Sequence, residues 1–421
     1  MIRRRTVPTL VLAAAAPGLL VAPTAAEAQQ EPDPNVPVQN RPRPEFDPLG
    51  IRAGGFLIFP RLTVAETYDS NVFAEPDEEE DDLITVIEPV VEVRSNFPRH
   101  ELGFEAGAEI GFFAEETDEN YQNYFVSTGG TLDVTRNAAL SADLGYAREH
   151  ESRESPESPD AAEEPTPIDE YNAQLSFRQV FNRLNYRLLG AAGFSDFQDV
   201  DAIAGGEINQ DDRDRFEYDA RLRVGYLVSP RFNLFTEGRY TLTDYQVQED
   251  DAGFDRDSQG YGVSAGVEVD LTAILFGEVF GGYRFETFDD NAFDDVGGFS
   301  FGAGLTWNVT DLTTIELVGE RDVEATTQPG AGGNLATDIR LEVTHELLRN
   351  LLLNGFAGYS RDEFEGADRT DNTYIAGAGA EYLVNRYLSV ELGYRFSDRD
   401  SDVDDEEFTR HIVSLGLTGR L

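Results

Sequence analysis

The sequence predicts an all-β protein: a closed, antiparallel, up-and-down transmembrane β-barrel of about 18 strands, or about 16 if the first hairpin is absent. Three observations support this fold class. Apolar and polar residues alternate in many successive segments, short and long connections alternate between these segments, and most of the long connections are acidic. Period-two alternation places apolar and polar side chains on opposite faces of a strand. Short turns at one end and long loops at the other are typical of transmembrane barrels.

The composition narrows the classes of function. The 421-residue chain has a formal charge of −47, with 80 acidic residues against 33 basic ones, and every basic residue is Arg. Such a charge repels phosphate backbones, so we expect no nucleic-acid partner. The chain contains no Cys, which excludes disulfides and thiolate chemistry. Its 28 Phe and 17 Tyr argue for a folded chain despite the high charge.

Residues 1–28 have the parts of a secretory signal peptide. Three Arg stand near the start, residues 7–22 are apolar, and residues 26–28 read Ala-Glu-Ala, a small-x-small cleavage site. A membrane anchor is the alternative. The apolar run is shorter than the roughly 20 residues of a spanning helix and contains Pro17, which favours the signal peptide.

The remaining chain divides into a linker and a barrel. Residues 29–48 are rich in Pro and predict an extended periplasmic linker. Residues 49–421 keep the alternating pattern to the end and predict the barrel. No segment in them is apolar for long enough to predict a spanning helix.

The segment "HELGFEAGAEIGFF", residues 100–113, illustrates the strands. Apolar residues at alternate positions from Leu102 to Phe112 share one face, whereas Glu105 and Glu109 share the other with interleaved Gly. A soluble β-sandwich is the alternative, but its strands cluster near about five or six residues. Sandwich crossings would also not keep the alternation of connections. Short connections such as "TRNA" and "FNRLN" carry Arg or Asn, whereas long ones such as "EPDEEEDD" and "QEDDAGFDRD" are acidic.

Two local features refine the strands. Pro60 and Pro89 lie inside the first two, where proline cannot donate to a ladder, so they predict bulges or a weak first hairpin. Gly-Tyr pairs recur near the outer ends of ascending strands, at residues 145–146, 282–283, 358–359 and 393–394. These Tyr predict part of an aromatic girdle at the headgroup level, with ordinary cross-strand packing as the alternative.

The stretch "PLGIRAGGFLIFPRLTVAETYDSNVF", residues 48–73, carries a family resemblance. It has a Pro-rich leader, a Gly-Ile-Arg-x-Gly start at Gly50 and a first strand ending in Tyr-Asp-x-Asn at Tyr68. In these features, and in architecture over residues 46–421, the chain resembles the uncharacterised bacterial family named putative β-barrel porin, type 2. The resemblance implies the outer membrane of a Gram-negative bacterium and a link to exopolysaccharide or envelope functions. It implies no catalytic residues.

The lumen is the most promising functional region, because a barrel of this size encloses water instead of being filled by side chains. Opposed acidic and basic walls would select small polar or charged solutes. Cross-strand pairing of the same charges is the alternative. The residues predicted to line the lumen are Glu105, Glu109, Arg178, Arg187, Glu217, Arg221, Arg223, Glu278, Arg284, Arg340, Glu342, Glu391 and Arg395.

Other candidate sites are weaker. The acidic run from Asp398 has Val403 where a Ca²⁺ loop requires Gly and Thr409 where it requires Glu, and "EPDEEEDD" has no Gly at all. We therefore expect no specific metal site or cofactor and only loosely bound divalent cations. The four His form no catalytic constellation, so we expect no enzyme. Residues 149–170, rich in Pro, Glu and Ser, predict a mobile outer loop, with an inward constriction as the alternative.

The sequence therefore predicts an outer-membrane barrel that acts as a porin-like passive channel for small polar solutes. Its expected partners are membrane lipid and lipopolysaccharide, with which the acidic loops would share divalent cations. The alternative is a non-conducting structural or accessory barrel for exopolysaccharide export or envelope integrity, with envelope or polysaccharide-export proteins as partners. A secreted soluble β adhesin is a third class.

Overall fold

A computed structural model describes residues 36–77, 79–159, 161–271 and 274–421. The predicted signal peptide, residues 1–28, lies outside the described residues, and so does the predicted linker up to residue 35. Within the described residues, no helix is long and apolar enough to span a membrane.

The chain forms a closed barrel of 18 antiparallel strands in up-and-down order, which confirms the predicted fold class. Each strand pairs with the next one in sequence, and the last pairs with the first from Arg420 opposite Arg61 to Ile412 opposite Asp69. The strands are β1 (Phe56–Asp69), β2 (Asp82–Ser95), β3 (Glu101–Phe113), β4 (Tyr121–Thr135), β5 (Ala138–His150), β6 (Pro167–Phe181), β7 (Leu184–Phe197), β8 (Arg215–Ser229), β9 (Phe232–Tyr245), β10 (Ser258–Leu271), β11 (Leu275–Phe288), β12 (Val296–Thr310), β13 (Thr313–Glu324), β14 (Gly333–Leu348), β15 (Leu351–Glu365), β16 (Arg369–Asn385), β17 (Leu388–Ser401) and β18 (Phe408–Arg420).

The two ends of the barrel differ in their connections. At the end where β1 begins and β18 finishes, here called the turn end, strands are joined by tight turns such as residues 136–137. The opposite end, the loop end, carries longer segments such as residues 151–166 and 198–214. The connection at residues 366–368 is an exception, because it is short but lies at the loop end.

The two strand prolines do not distort the ladder. Pro60 pairs with Val91 in an unbroken β1–β2 register, just before the β1–β18 ladder begins. Pro89 lies where the β2–β3 pairing is interrupted between Ile87 and Val90, but the register is the same on both sides. The predicted bulge or weak first hairpin is therefore wrong, because the prolines occupy positions where a missing donor costs at most local pairing.

The outward face carries apolar and aromatic side chains. A row of rings runs around part of it, from Tyr124 through Tyr146, Tyr171 and Phe194 to Phe216, with successive centroids 6.1, 4.9, 6.0 and 4.4 Å apart. These contacts join adjacent strands, and amphipathic rings favour the level of the lipid headgroups. The second residues of the other three Gly-Tyr pairs also lie on outward positions: Tyr283, Tyr359 and Tyr394.

The inward face uses glycine to hold rings flat against the wall. Gly111 faces Tyr121 on the next strand, and Gly377 likewise faces Phe356. A Cβ atom at either glycine would overlap the neighbouring ring. The rings therefore cover the wall and do not project into the lumen.

Candidate functional site

The strand register places each of the residues predicted to line the lumen on the inward face. In β3, for example, Glu105 and Glu109 alternate with Phe104 and Phe112, which are 43% and 48% exposed on the outer surface. Directly paired residues of antiparallel strands share a face, so the same parity extends around the barrel. That these residues line a conducting path stays a prediction.

Several of the inward charges are brought together. Arg223 lies at the centre of the largest group, with its Nε 2.7 Å from Glu237 and its Nη1 2.7 Å from Glu278 and 3.3 Å from Glu268. Arg284 is 3.2 Å from Asp322. Arg221 is 2.8 Å from Asp219 of its own strand, and this carboxylate also pairs with Arg239 of the next strand at 2.5 Å. Cross-strand pairing, the alternative left open by the sequence, therefore accounts for this sector of the wall.

Within the described residues, no ion pair is found for Arg340, Glu391, Arg178 or Arg187. Arg340 lies over the Phe356 ring, 4.2 Å from its centroid. Glu391 stands opposite Glu381 on the neighbouring strand. Arg178 and Arg187 are opposite each other on β6 and β7. These positions keep uncompensated charge on the inner wall.

Residues 151–159 and 161–166, here called the crossing loop, fold inward and contact a distant part of the wall. The Glu154 carboxylate accepts hydrogen bonds from Arg395 at 3.2 and 2.8 Å, from Arg410 at 3.1 Å and from Ser397 at 3.1 Å. These three residues lie on inward positions of β17 and β18, which β1–β4 separate from β5. The predicted outer loop is wrong, and the alternative of an inward constriction describes this segment.

The electrostatics of Glu154 suit an anchor. Its burial raises the pKa of the carboxyl, but the cations of Arg410 and Arg395 outweigh burial and hold that pKa below its ordinary value. The backbone carbonyl of Glu154 also accepts a hydrogen bond from Arg399. The crossing loop is therefore fixed to the wall by an ionised carboxylate at neutral pH.

Further contacts hold the two sides of the crossing loop. Glu151 forms a buried pair with Arg213, with nitrogen–oxygen distances of 2.7 and 2.9 Å. Glu157 accepts hydrogen bonds from Thr327 at 2.6 and 3.2 Å and also contacts Thr326. The loop is thus tied to two other connections at the loop end.

Residues 36–48, here called the mouth segment, lie in the opening at the turn end. The Val38 amide donates to the Thr314 hydroxyl at 2.9 Å, and Gln39 donates to the Glu316 carboxylate at 2.6 Å. Thr314 and Glu316 are inward residues of β13. Arg420 on β18 donates to the carbonyl of residue 46 at 3.4 Å. The segment therefore reaches both β13 and β18.

A buried ion pair secures the mouth segment. Arg43 is 2.7 Å from Glu346, and their side chains are only 2% and 7% exposed. The Arg43 guanidinium also donates to the Val38 carbonyl at 2.9 Å, and Arg349 donates to the Pro42 carbonyl at 3.0 Å. The prediction of an extended linker is therefore wrong for residues 36–48, which include a 3₁₀ turn and pack against the barrel.

Sequence reasoning missed Glu154, Arg43 and Glu346 as functional residues. Glu154 is one acid among many in its segment, and Arg43 lies between two prolines outside any alternating pattern. No pattern in the sequence marks their partners, because the contacts are far apart along the chain. Among the described residues, no group of three or more His, Asp or Glu is placed to hold a metal ion.

Comparison with protein families identifies the barrel. A family model described as putative beta-barrel porin 2 matches residues 43–421. The chain belongs to this family. This porin-like barrel is a protein of the Gram-negative outer membrane, and the predicted family and location are confirmed.

Solved structures of low sequence identity also match the chain. OccAB4 of Acinetobacter baumannii is 11% identical with a TM-score of 0.45, over 90% of this chain and 100% of that chain. A BenF-like porin of Pseudomonas fluorescens Pf-5 is 10% identical with a TM-score of 0.45, over 86% and 99%. OpdO of Pseudomonas aeruginosa is 13% identical with a TM-score of 0.44, over 87% and 97%. No curated protein matches the chain.

Proposed function

We propose that this barrel is a passive channel for small polar solutes. The observation that carries the proposal is the inner wall, where the strand register places charged side chains around the interior of an 18-stranded barrel. A polar wall around an unfilled interior holds water, and an aqueous path across the barrel admits solutes without a chemical step. The turn end faces the periplasm, as in other outer-membrane barrels.

The crossing loop and the mouth segment determine how wide this path is. One narrows the lumen from the loop end and the other narrows the periplasmic opening. Narrow pores discriminate among solutes by size and by the charges at the constriction. The permeant solutes of this channel are therefore small, and their selection depends on wall charges beside the two segments.

The mouth segment also supports the alternative of a non-conducting accessory barrel for polysaccharide export or the envelope. Its buried Arg43–Glu346 pair is a stable contact at the periplasmic opening. If the segment covers the whole opening, the barrel conducts only when it is displaced.

Conductance in planar bilayers tests the two proposals. Purified barrel, shown to be folded by heat-modifiable migration, is inserted at known polarity. Stepwise ohmic currents from the wild-type chain support the channel. Silence from wild-type protein, together with steps from a variant lacking residues 36–48, supports the closed accessory barrel. If neither the wild-type protein nor the variant lacking residues 36–48 gives current steps, the channel is contradicted.

A further inference from the structure

Two lumenal arginines near the turn end have no acidic partner in the part of the chain that the structure describes. Arg178 on β6 and Arg187 on β7 are paired directly across the strands. Within the described residues, no carboxylate oxygen lies within 4.0 Å of either guanidinium. The Arg178 side chain is exposed and that of Arg187 is half-buried, so both face lumenal water.

This arrangement is unfavourable without a ligand. Like charges directly opposite each other on neighbouring strands repel. Arg223 on β8 is the cross-strand neighbour of Arg187 on its other side, and the three residues form one inward row. Unlike the other two, Arg223 forms ion pairs with three carboxylates. The pair is therefore an uncompensated positive site in an acidic protein.

The residues around the pair suit an anion. On β5, Ala139 stands opposite Arg178, and in the adjacent inward row Ser141 pairs with Ser176. Hydroxyl groups donate hydrogen bonds to an anion and add no competing charge. Cross-strand side chains begin about 5 Å apart, so two guanidinium groups can bind one phosphate or carboxylate group from either side.

The mouth segment directs solutes toward this pair. Its contacts lie on β13, β14 and β18, which stand opposite β6 and β7 in the closed ring. The segment therefore covers the other side of the periplasmic opening. A path left open on its free side would bring anions past the arginines.

We infer that Arg178 and Arg187 form a binding site for small phosphate- or carboxylate-bearing anions at the periplasmic end of the lumen. The claim that this site selects among permeating solutes rests on the proposed channel. The claim that it binds anions does not. Arginine suits this role because its planar donors bind such oxygens bidentately and its charge does not titrate.

The first test measures binding without conduction. The thermal unfolding temperature of the wild-type barrel is measured in detergent at constant ionic strength. Inorganic phosphate and succinate should each raise this temperature above its value in chloride. The double variant Arg178→Gln/Arg187→Gln should fold with an unchanged or higher transition in chloride, because the repulsion is removed. Its affinity for either anion should fall by at least about tenfold, since charge-assisted hydrogen bonds are lost.

The control is Arg136→Gln, which removes the same kind of charge from a neighbouring periplasmic turn outside the row. It should keep the wild-type response to phosphate. Equal responses from wild type, control and double variant overturn the site, because they mean that the anions act on the general surface.

The second test measures selectivity in bilayers. Under a salt gradient, the reversal potential of the double variant should shift toward cations relative to wild type and Arg136→Gln. An unshifted potential overturns the selectivity role. A third outcome is possible: the wild-type barrel gives no current, yet phosphate stabilises it and does not stabilise the double variant. This outcome would contradict the proposed channel and retain the binding site.

Discussion

Replacing Glu154 by Gln removes the charge that anchors the crossing loop to β17 and β18. The side chains of Glu154, Arg395 and Arg410 are 10%, 15% and 11% exposed, so solvent screens their attraction weakly. Breaking a buried ion pair costs about 3–5 kcal/mol. The cost here is lower, because the Gln amide still accepts one hydrogen bond and Arg410 keeps its contact with Asp69.

We expect the substitution to weaken the anchored state by about 2–3 kcal/mol, which raises the population of the detached loop roughly 30- to 150-fold. The natural chain has no Cys, so a single Ser158→Cys substitution reports on the loop. A membrane-impermeant maleimide should label this reporter faster in the Glu154→Gln background. Single-channel currents should become larger or noisier at the same voltage.

The matched control is Glu164→Gln, which alters an exposed acid of the same loop. It should leave the labelling rate and the conductance at wild-type values. If Glu154→Gln and Glu164→Gln behave alike in both assays, the anchoring role of Glu154 is refuted.

Four further predictions follow from other parts of the barrel. Because the folded-state pKa of Glu154 is lowered, its anchoring is fully present above the ordinary pKa of 4.5 and is lost as the pH falls through the lowered pKa. Acid-induced release of the loop should therefore begin only below pH 4.5, as reported by a fluorophore attached at neutral pH to the Ser158→Cys variant, because maleimide labelling itself slows when the thiolate is protonated. Arg43→Gln should detach the mouth segment and increase conductance, whereas Arg52→Gln, outside the segment, should not. Leu415→Arg on the lipid-facing side of β18 should cost about 2–4 kcal/mol in reversible refolding into bilayers, unlike a lumenal substitution on the same strand. Chelation of divalent cations should weaken association with lipopolysaccharide vesicles but leave the thermal transition in detergent unchanged; a lowered transition would instead place the cations in the barrel itself.

The fold was predictable because the residue pattern of each strand reflects the two environments that it faces, lipid on one side and the lumen on the other. Alternation such as that from Leu102 to Phe112 states which side faces lipid and which faces the lumen, and closure follows from the need to pair every edge strand. The inward parity of Arg178 and Arg187 could be read in the same way. Their isolation from carboxylates could not, since it depends on side chains of neighbouring strands.

The two segments that narrow the lumen were not predictable from local sequence. The crossing loop has the composition of a mobile segment, and only the distant Arg395 and Arg410 give its Glu154 a fixed position. The mouth segment is rich in Pro, which favours extended chain, but a buried partner for Arg43 exists on β14. In both cases tertiary ion pairs override a local preference.

The attachment of the mouth segment also has a consequence for assembly. The segment precedes β1, yet Arg43 pairs with a residue 303 positions later, and residue 46 contacts a residue 374 positions later. These partners stand together only after β14 has been inserted and β18 has closed against β1. Docking of the mouth segment is therefore the last step of folding, and its protection from protease distinguishes a finished barrel from an open sheet still held by the insertion machinery.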